Sequence, residues 1–196
     1  MEIETPSADT DPGLPRIERT AEREVFANDY VTVYDDDVMF GGVFPGRYLR
    51  IVERDGRPGA AILARCAGRY ALVLTYRYPT GGFEWGIPRG FAHGDDPAMT
   101  ARDELSEELG GPPSSLVPLG AVSPNSGLLA SRVHLFLGEF DTEVAAPEDP
   151  QEVLHVRWVT LPDLLDAVAR GEIDDAFTLS ALTLASVRGL LDADRR

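Results

Sequence analysis

Cysteine, histidine and positive charge are scarce in this chain. Its 196 residues include one cysteine, three histidines and 18 basic against 33 acidic side chains, for a formal net charge of −15. The single cysteine, Cys66, excludes an intrachain disulfide, and its apolar surroundings predict a buried thiol rather than a nucleophile. DNA and RNA are not expected as partners, because the sequence offers no basic stripe that could follow their phosphates.

Long apolar runs are absent as well, so we expect no membrane contact. Residues 1–16 are acidic and rich in proline, which is unlike a signal peptide and predicts a disordered tail. These features together favour a cytoplasmic protein. A hydrophobic content of 43% is ordinary for a folded domain with a core of its own.

Runs of β-type residues occupy much of the chain after residue 24. They cover residues 25–40, 48–54, 60–66, 70–78, 133–140 and 153–161. Turns are predicted between the early runs at Gly41–Gly42, Pro45–Gly46, Asp55–Gly56 and Ala67–Gly68. Helical patterns follow at 161–171 and 177–193. Strands, a central helix, further strands and then helices predict a mixed α/β or α+β sandwich.

The central helix is predicted over residues 97–109. Asp96 suits its N-cap, Pro97 suits its first turn and Gly110 suits its C-terminal stop. Apolar residues at helical spacing form its expected buried stripe, namely Ala98, Ala101, Leu105 and Leu109.

Three carboxylates share one face of this helix, because Glu104, Glu107 and Glu108 stand at positions i, i+3 and i+4. Like charges at this spacing repel one another and weaken a helix unless something positive lies against them. Carboxylate oxygens are ligands that suit Mg²⁺ or Mn²⁺. A solvated acidic surface is the alternative, but the glycine-containing segment before the helix favours a metal-dependent enzyme that acts on phosphates.

The segment from Gly90 to Gly111 resembles the signature box of the Nudix hydrolases. Its second half, ELSEELG at 104–110, follows that family's pattern residue by residue, and Gly90 matches the opening glycine. The flanks RYPTGGFEWGIPRGF and SPNSGLLASRVHLFLGEF, and a C-terminal Gly-Glu-Ile-x-Asp-Ala stretch, resemble the ADP-ribose pyrophosphatases. The resemblance implies a Nudix-type α/β/α sandwich with a mixed sheet. Within it we expect an N-terminal strand segment at 17–60 and the catalytic domain at 61–196.

Three departures from the family pattern stand out. Asp103 replaces the arginine before the first glutamate, and it adds a carboxylate four residues ahead of Glu107. The loop after Gly90 is one residue short. Gly86 stands where a glutamate often follows Trp85. These departures bear on rate and substrate more than on the fold.

The resemblance also implies roles for particular residues. The implied metal ligands, which also act in catalysis, are Glu104, Glu107 and Glu108, with the backbone carbonyl of Arg89 as a further ligand. The general base of that subfamily is a glutamate on a late loop. The matching segment, PEDPQEVL, offers Glu152 first and Glu148 second, although each could instead be a solvated acid.

Substrate contacts are expected around the same segment. The candidates are Arg77, Gly90, Phe91 and Trp85, against which a surface arginine, a plain turn and packing aromatics are the competing interpretations. His93, in the box loop, is left open. Bound Mg²⁺ or Mn²⁺ would neutralise the oxygens of a pyrophosphate and lower the pKa of a bound water.

The implied reaction is hydrolysis of a nucleoside diphosphate linked to another group, with ADP-ribose, giving AMP and ribose 5-phosphate, as the expected substrate. Two alternatives stay open. One is the same chemistry on a nucleotide sugar or a dinucleoside polyphosphate. The other is a Nudix-fold nucleotide-binding module whose catalysis Asp103 has impaired. The resemblance further implies a homodimer, with the segment 25–44 helping to shape the partner's site.

Overall fold

The computed structural model describes residues 13–92 and 94–191. Most of the tail predicted at 1–16 therefore lies outside the described residues, as does His93. The chain forms two compact units. The first runs up to Asp55 and takes in Gly127–Ala130, and the second comprises Gly56–Ser126 and the chain from Ser131 onward.

The first unit is an antiparallel sheet. Its strands are β1 (Ile17–Ala21), β2 (Glu24–Ala27), β3 (Val31–Phe40) and β4 (Phe44–Glu53). Strand β3 is central, because the other three strands all pair with it.

Two sequence predictions in this unit were wrong. The run at 25–40 is not one strand, because the Asn28 side chain accepts hydrogen bonds from the backbone N–H groups two and three residues later, each at 2.9 Å, and forms a turn. The predicted turn at Pro45–Gly46 lies inside β4. The chain reverses at the other predicted turn, Gly41–Gly42, where φ is 57° and 71°, values that favour glycine.

The second unit holds a mixed sheet with helices on it. Its strands are β5 (Gly59–Cys66), β6 (Arg69–Arg77), β7 (Gly82–Gly86), β8 (Arg89–Gly90), β9 (Ser115–Val122), β10 (Val133–Glu139) and β11 (His155–Thr160). Its helices are α1 (Pro97–Leu109), α2 (Leu161–Ala169) and α3 (Ala176–Val187). The main strand order is β11-β6-β5-β10-β9, in which β5 and β10 are parallel and the other neighbours antiparallel.

Helices cover both faces of this sheet because successive side chains of a strand point to opposite sides. On β5, Ala60 and Ile62 belong to one buried cluster with residues of α1, whereas Ala61 and Leu63 belong to the other cluster with residues of α2 and α3. The predicted α/β/α sandwich with a mixed sheet is therefore confirmed. Cys66 is buried on the α1 side, and burial raises the pKa of its thiol, as expected for a structural cysteine.

The ends of α1 are as predicted. Asp96 caps the helix by accepting a hydrogen bond from the N–H of Ala98 at 2.9 Å, and Gly110 ends it with φ 97°. The last helix is shorter than predicted, because α3 ends at Val187 and Gly189 follows with φ 67° rather than continuing the helix to residue 193. No helix within the described ranges is long and apolar enough to cross a membrane.

Strands β7, β8 and β9 were missed from the sequence. Strand β9 contains Pro118 and Gly120, which usually argue against a strand. Among the described strands it pairs only with β10, and a bulge in the pairing falls between the partners of these two residues. Proline and glycine are tolerated there because an edge strand leaves one side of its backbone without a ladder.

Candidate active site

The glutamates of α1 differ in exposure although they share one helix face. Glu104 and Glu108 are each only 6% exposed, and Glu107 is exposed. The buried pair lies beside Leu105, which packs against the sheet and fixes the rotation of the helix. Packing of the apolar stripe of α1 on the sheet therefore also buries the carboxylates of Glu104 and Glu108.

Strand β8 runs against this pair of carboxylates. The backbone N–H of Arg89 donates to Oε2 of Glu108 at 3.2 Å. Gly90 passes so close to Glu104 that a side chain would not fit between them. Pairing of β8 with β5, which sets Gly90 opposite Ala60, holds the backbone at this position.

A late acidic loop closes the other side of the site. A cavity of about 150 Å³ is lined by Glu104, Glu107, Glu108, Glu148, Asp149, Glu152 and Val153. The structure thus brings together the predicted glutamates of the helix and of the loop. Asp149 also lines the cavity but was not predicted from the sequence. Its position between Glu148 and Glu152, the two candidate bases, could have indicated it.

The loop is anchored to α1 through its main chain. The N–H of Glu148 donates to the carbonyl of Glu107 at 2.7 Å, and the N–H of Ala146 donates to the carbonyl of Leu109 at 2.9 Å. Glu152 lies beyond these bonds, in a turn where its own N–H donates to the carbonyl of Asp149 at 3.2 Å. Glu148 is therefore tethered to the helix through its main chain, whereas Glu152 lies in the exposed turn that follows it.

Burial and like charge act together on the two buried glutamates. Burial, together with the charges of Glu107, Glu152 and Asp103, raises the pKa of Glu104 to about 8. Burial also raises the pKa of Glu108 to about 8, with a further push from Glu104 that the hydrogen bond from Arg89 opposes. A positive charge placed between these groups would be strongly favoured.

Two arginines border the carboxylates. Nε of Arg77 lies 3.3 Å from Oε2 of Glu84, and a terminal nitrogen of Arg89 lies 3.9 Å from the same oxygen. The charge of Arg77 also acts to lower the pKa of Glu108, so this arginine lies within electrostatic range of the buried pair. Asp175, at the start of α3, lies 3.3 Å from the guanidinium of Arg89.

Trp85 lies away from the carboxylates. It is half-buried and packs against the buried cluster formed with α2 and α3, and Arg157 stacks over its ring at 5.0 Å from the ring centre. Its neighbour Glu84 points to the other face of β7. Phe91 follows β8 directly and is 42% exposed, which leaves its ring accessible beside the site. The two aromatic candidates therefore differ in placement, because Phe91 is exposed next to Gly90 and Trp85 packs against the core.

The donor atoms of the cavity suit a hard divalent cation. All the charged groups that line it offer carboxylate oxygens, the ligands that Mg²⁺ and Mn²⁺ prefer. Across residues 13–92 and 94–191, no three such side chains already stand in positions from which they could ligate one metal together. The chemistry therefore fits a metal, and ligation requires the carboxylates to turn towards one another.

Comparison with known proteins places these features in a family. Residues 56–179 match the family described as NUDIX domain. The chain is 30% identical over 174 residues to CMP-5'-(N-acetyl-N-hydroxy-3-aminopropyl)phosphonate hydrolase of Streptomyces rubellomurinus, covering 86% of this chain and 81% of that protein. It is also 30% identical over 183 residues to ADP-ribose pyrophosphatase of Bacillus subtilis, covering 89% of this chain and 95% of the relative.

A solved structure shares the fold. The crystal structure of an ADP compounds hydrolase superposes with a TM-score of 0.72 at 21% identity, covering 90% of this chain and 96% of that one. At this level of identity the likeness concerns architecture, and the choice of substrate has to be argued from the site.

Proposed function

The chain belongs to the Nudix hydrolases, enzymes that act on phosphorus anhydrides, and on that premise we propose that it hydrolyses a nucleoside diphosphate linked to another group. ADP-ribose, cleaved to AMP and ribose 5-phosphate, is the proposed substrate. The observation that carries the proposal is the cavity in which the box glutamates meet the acidic loop. The Bacillus subtilis relative, named an ADP-ribose pyrophosphatase and matched over nearly its whole length, supports this choice.

Members of this family generally use divalent metal ions. In this chain Glu104, Glu107 and Glu108, together with the carbonyl of Arg89, would hold Mg²⁺ or Mn²⁺. When bound, such a metal neutralises phosphate oxygens and lowers the pKa of water. The raised pKa values of Glu104 and Glu108 support this assignment, because both groups gain from a nearby positive charge.

Proton transfer is assigned to the acidic loop. Glu152 acts as the general base and accepts a proton from the attacking water on a carboxylate oxygen. It lines the cavity, and its charge acts to raise the pKa of both Glu104 and Glu108. Glu148, tethered to the main chain of α1, is the second candidate.

Substrate contacts follow from the border of the site. Arg77 binds a phosphate oxygen, Gly90 leaves room for close approach of the backbone, and Phe91 offers an exposed ring to a base or sugar. The sequence interpretation also assigned Trp85 to the substrate, which its packing against the core does not support. A cytoplasmic homodimer, in which residues 25–44 contribute to the partner's site, completes the proposal.

Two competing functions are distinguishable by experiment. The Streptomyces rubellomurinus relative, which is named for a CMP-linked phosphonate, favours the same chemistry on another nucleotide. The charge of Asp103 acts to raise the pKa of Glu104 in the place where the family carries an arginine, and this favours a binding module with impaired turnover.

The decisive assay is hydrolysis of a nucleotide panel that includes ADP-ribose, CMP-linked compounds, nucleotide sugars and dinucleoside polyphosphates, with Mg²⁺ or Mn²⁺. Release of AMP from ADP-ribose that disappears in Glu108→Gln supports the proposal. Faster release of another nucleoside monophosphate from a different compound would replace ADP-ribose as the substrate. Metal-dependent binding without turnover, together with a large gain of turnover in Asp103→Arg, would establish the binding module.

A further inference from the structure

Asp175 is a buried carboxylate whose two oxygens have different partners. It is 4% exposed and forms the N-cap of α3. Its Oδ2 accepts hydrogen bonds from the backbone N–H of Thr178 at 2.8 Å and from the Thr178 hydroxyl at 2.7 Å. Its Oδ1 lies 3.3 Å from a guanidinium nitrogen of Arg89. Only the first set of contacts is needed to cap a helix.

Arg89 links this cap to the carboxylate cavity. Its side chain is 20% exposed, stacks over Phe177 at 4.8 Å from the ring centre and reaches Asp175. Its backbone N–H donates to Glu108. One residue therefore joins the first turn of α3 to a glutamate of the site, through its side chain at one end and its main chain at the other.

A second tie holds the same segment. The backbone N–H of Ile87 donates to the hydroxyl of Thr178 at 3.0 Å. Gly86 packs so closely on Asp175 that a Cβ atom there would lie 3.2 Å from Oδ2. Gly86, Ile87 and Arg89 therefore each contact the start of α3. This short segment ends at Arg89, whose backbone carbonyl is a candidate metal ligand.

We infer that Asp175 is a positioning residue for the hydrolase: by pairing with Arg89 it sets the main chain of Arg89 against Glu108. Asp175 itself touches neither substrate nor metal. This inference rests on the proposed function, because positioning matters only if the cavity carries out the reaction. Mutation of residues that orient the ligands of a metal site, without binding the metal themselves, typically reduces activity or metal affinity about 10–100-fold.

Asp175→Asn is the test, because asparagine is as good an N-cap as aspartate but carries no charge to hold Arg89. We expect kcat to fall about 10–100-fold with little change in KM. In the metal-free protein, NMR should show the Arg89 amide exchanging about tenfold faster, since its hydrogen bond opens more often. Asp163→Asn, near the start of α2 and exposed, is the matched control and should change neither quantity.

A double-mutant cycle shows whether Asp175 acts through Arg89. With Arg89→Gln already in place, Asp175→Asn should cost nothing further in kcat. An equal loss in both backgrounds, or an Arg89 amide that exchanges at the wild-type rate in Asp175→Asn, would overturn the inference. So would a variant that is less stable but turns over normally while folded, because Asp175 would then be a helix cap and no more.

Failure of the proposed function leaves a different pattern. A wild-type protein that cleaves no compound of the panel contradicts the hydrolase, whatever the amide exchange shows. A wild-type protein that cleaves ADP-ribose, with an Asp175→Asn variant indistinguishable from it in kcat and amide exchange, contradicts the inference alone.

Discussion

Gly90 has no room for a side chain because the carboxylate of Glu104 occupies the space that a Cβ atom would take. The nearest atoms to such a Cβ all belong to that carboxyl group, and they would lie well inside van der Waals contact. The glycine of the box thus serves the site directly, by letting the backbone of β8 approach a buried glutamate. Its own φ is not in the left-handed region, so that space rather than conformation demands glycine here.

We expect Gly90→Ala to abolish most of the hydrolase activity, since Glu104 must move to admit the methyl group. Overpacking of this kind costs about 1–3 kcal/mol of stability, so the fold should survive. Steady-state kinetics and chemical denaturation measure the two effects. Gly94→Ala is the control, because a Cβ there meets nothing within 4 Å. Equal activity in the two variants would contradict the close approach.

The metal-free protein should lose stability as the pH rises. Glu104 and Glu108 have pKa values raised from 4.5 to about 8, so between these limits the folded state holds more protons than the unfolded chain. The free energy of unfolding therefore falls as the pH rises through that window. Thermal unfolding in a chelator between pH 6 and about 8.5 should show a falling Tm.

Two comparisons isolate the cause. The doubly substituted protein, Glu104→Gln with Glu108→Gln, should show a flatter dependence of Tm on pH over the same range. Added Mg²⁺ should stabilise the wild-type protein more at high pH than at low pH, because its ligands must first lose their protons. A wild-type Tm that does not fall with pH in the chelator would contradict the raised pKa values of the two carboxyls.

Glu152→Gln and Glu148→Gln should separate the two candidate bases. We expect Glu152→Gln to reduce kcat by about 10²–10⁴-fold, the usual contribution of a positioned base, with KM little changed. Glu148→Gln should have a much smaller effect, because Glu152 is the proposed base. The loop should keep its place in this variant, since the main-chain bond from Glu148 to the carbonyl of Glu107 does not involve the carboxylate. Rates at saturating substrate, measured across pH, provide the comparison. The opposite order of effects would assign the base to Glu148.

Trp85→Ala should affect stability rather than substrate binding. The ring packs against the core cluster beneath Arg157, so its removal should cost on the order of 2–3 kcal/mol. KM should stay within about twofold of the wild-type value, whereas Arg77→Gln should raise KM severalfold through loss of a charged contact. Denaturant titration and substrate titration measure the two quantities. A raised KM in Trp85→Ala at unchanged stability would restore this residue to the substrate site.

The helix that carries the glutamates was predictable because its signals are local. The cap at Asp96, the stop at Gly110 and the apolar stripe through Leu105 lie within a few residues of one another, and the structure has each as expected. The face shared by Glu104 and Glu108 follows from helical geometry alone. The depth to which these two side chains are buried does not, because it depends on where the sheet and the loop lie.

Other features depended on contacts between distant parts of the chain. Strand β9 was not predicted because it contains Pro118 and Gly120, which disfavour a strand. They are tolerated because β9 lies at the edge of the sheet. Trp85 and Glu84 are neighbours in sequence, but their side chains point to opposite faces of the sheet. The sequence did not predict this because β7 was not predicted as a strand.

The sequence by itself determined the order of the main elements, the family and the three glutamates of the box, because spacing within one helix and residue-by-residue similarity carry that information. Only the tertiary structure decided which glutamates are buried, which loop acids reach them and that Asp175 lies against Arg89. Those relationships join residues that lie 40 positions apart, as for Glu108 and Glu148, up to 86 positions apart, as for Arg89 and Asp175. They arise from the packing of the helices and the loop against one sheet, and no local pattern records them.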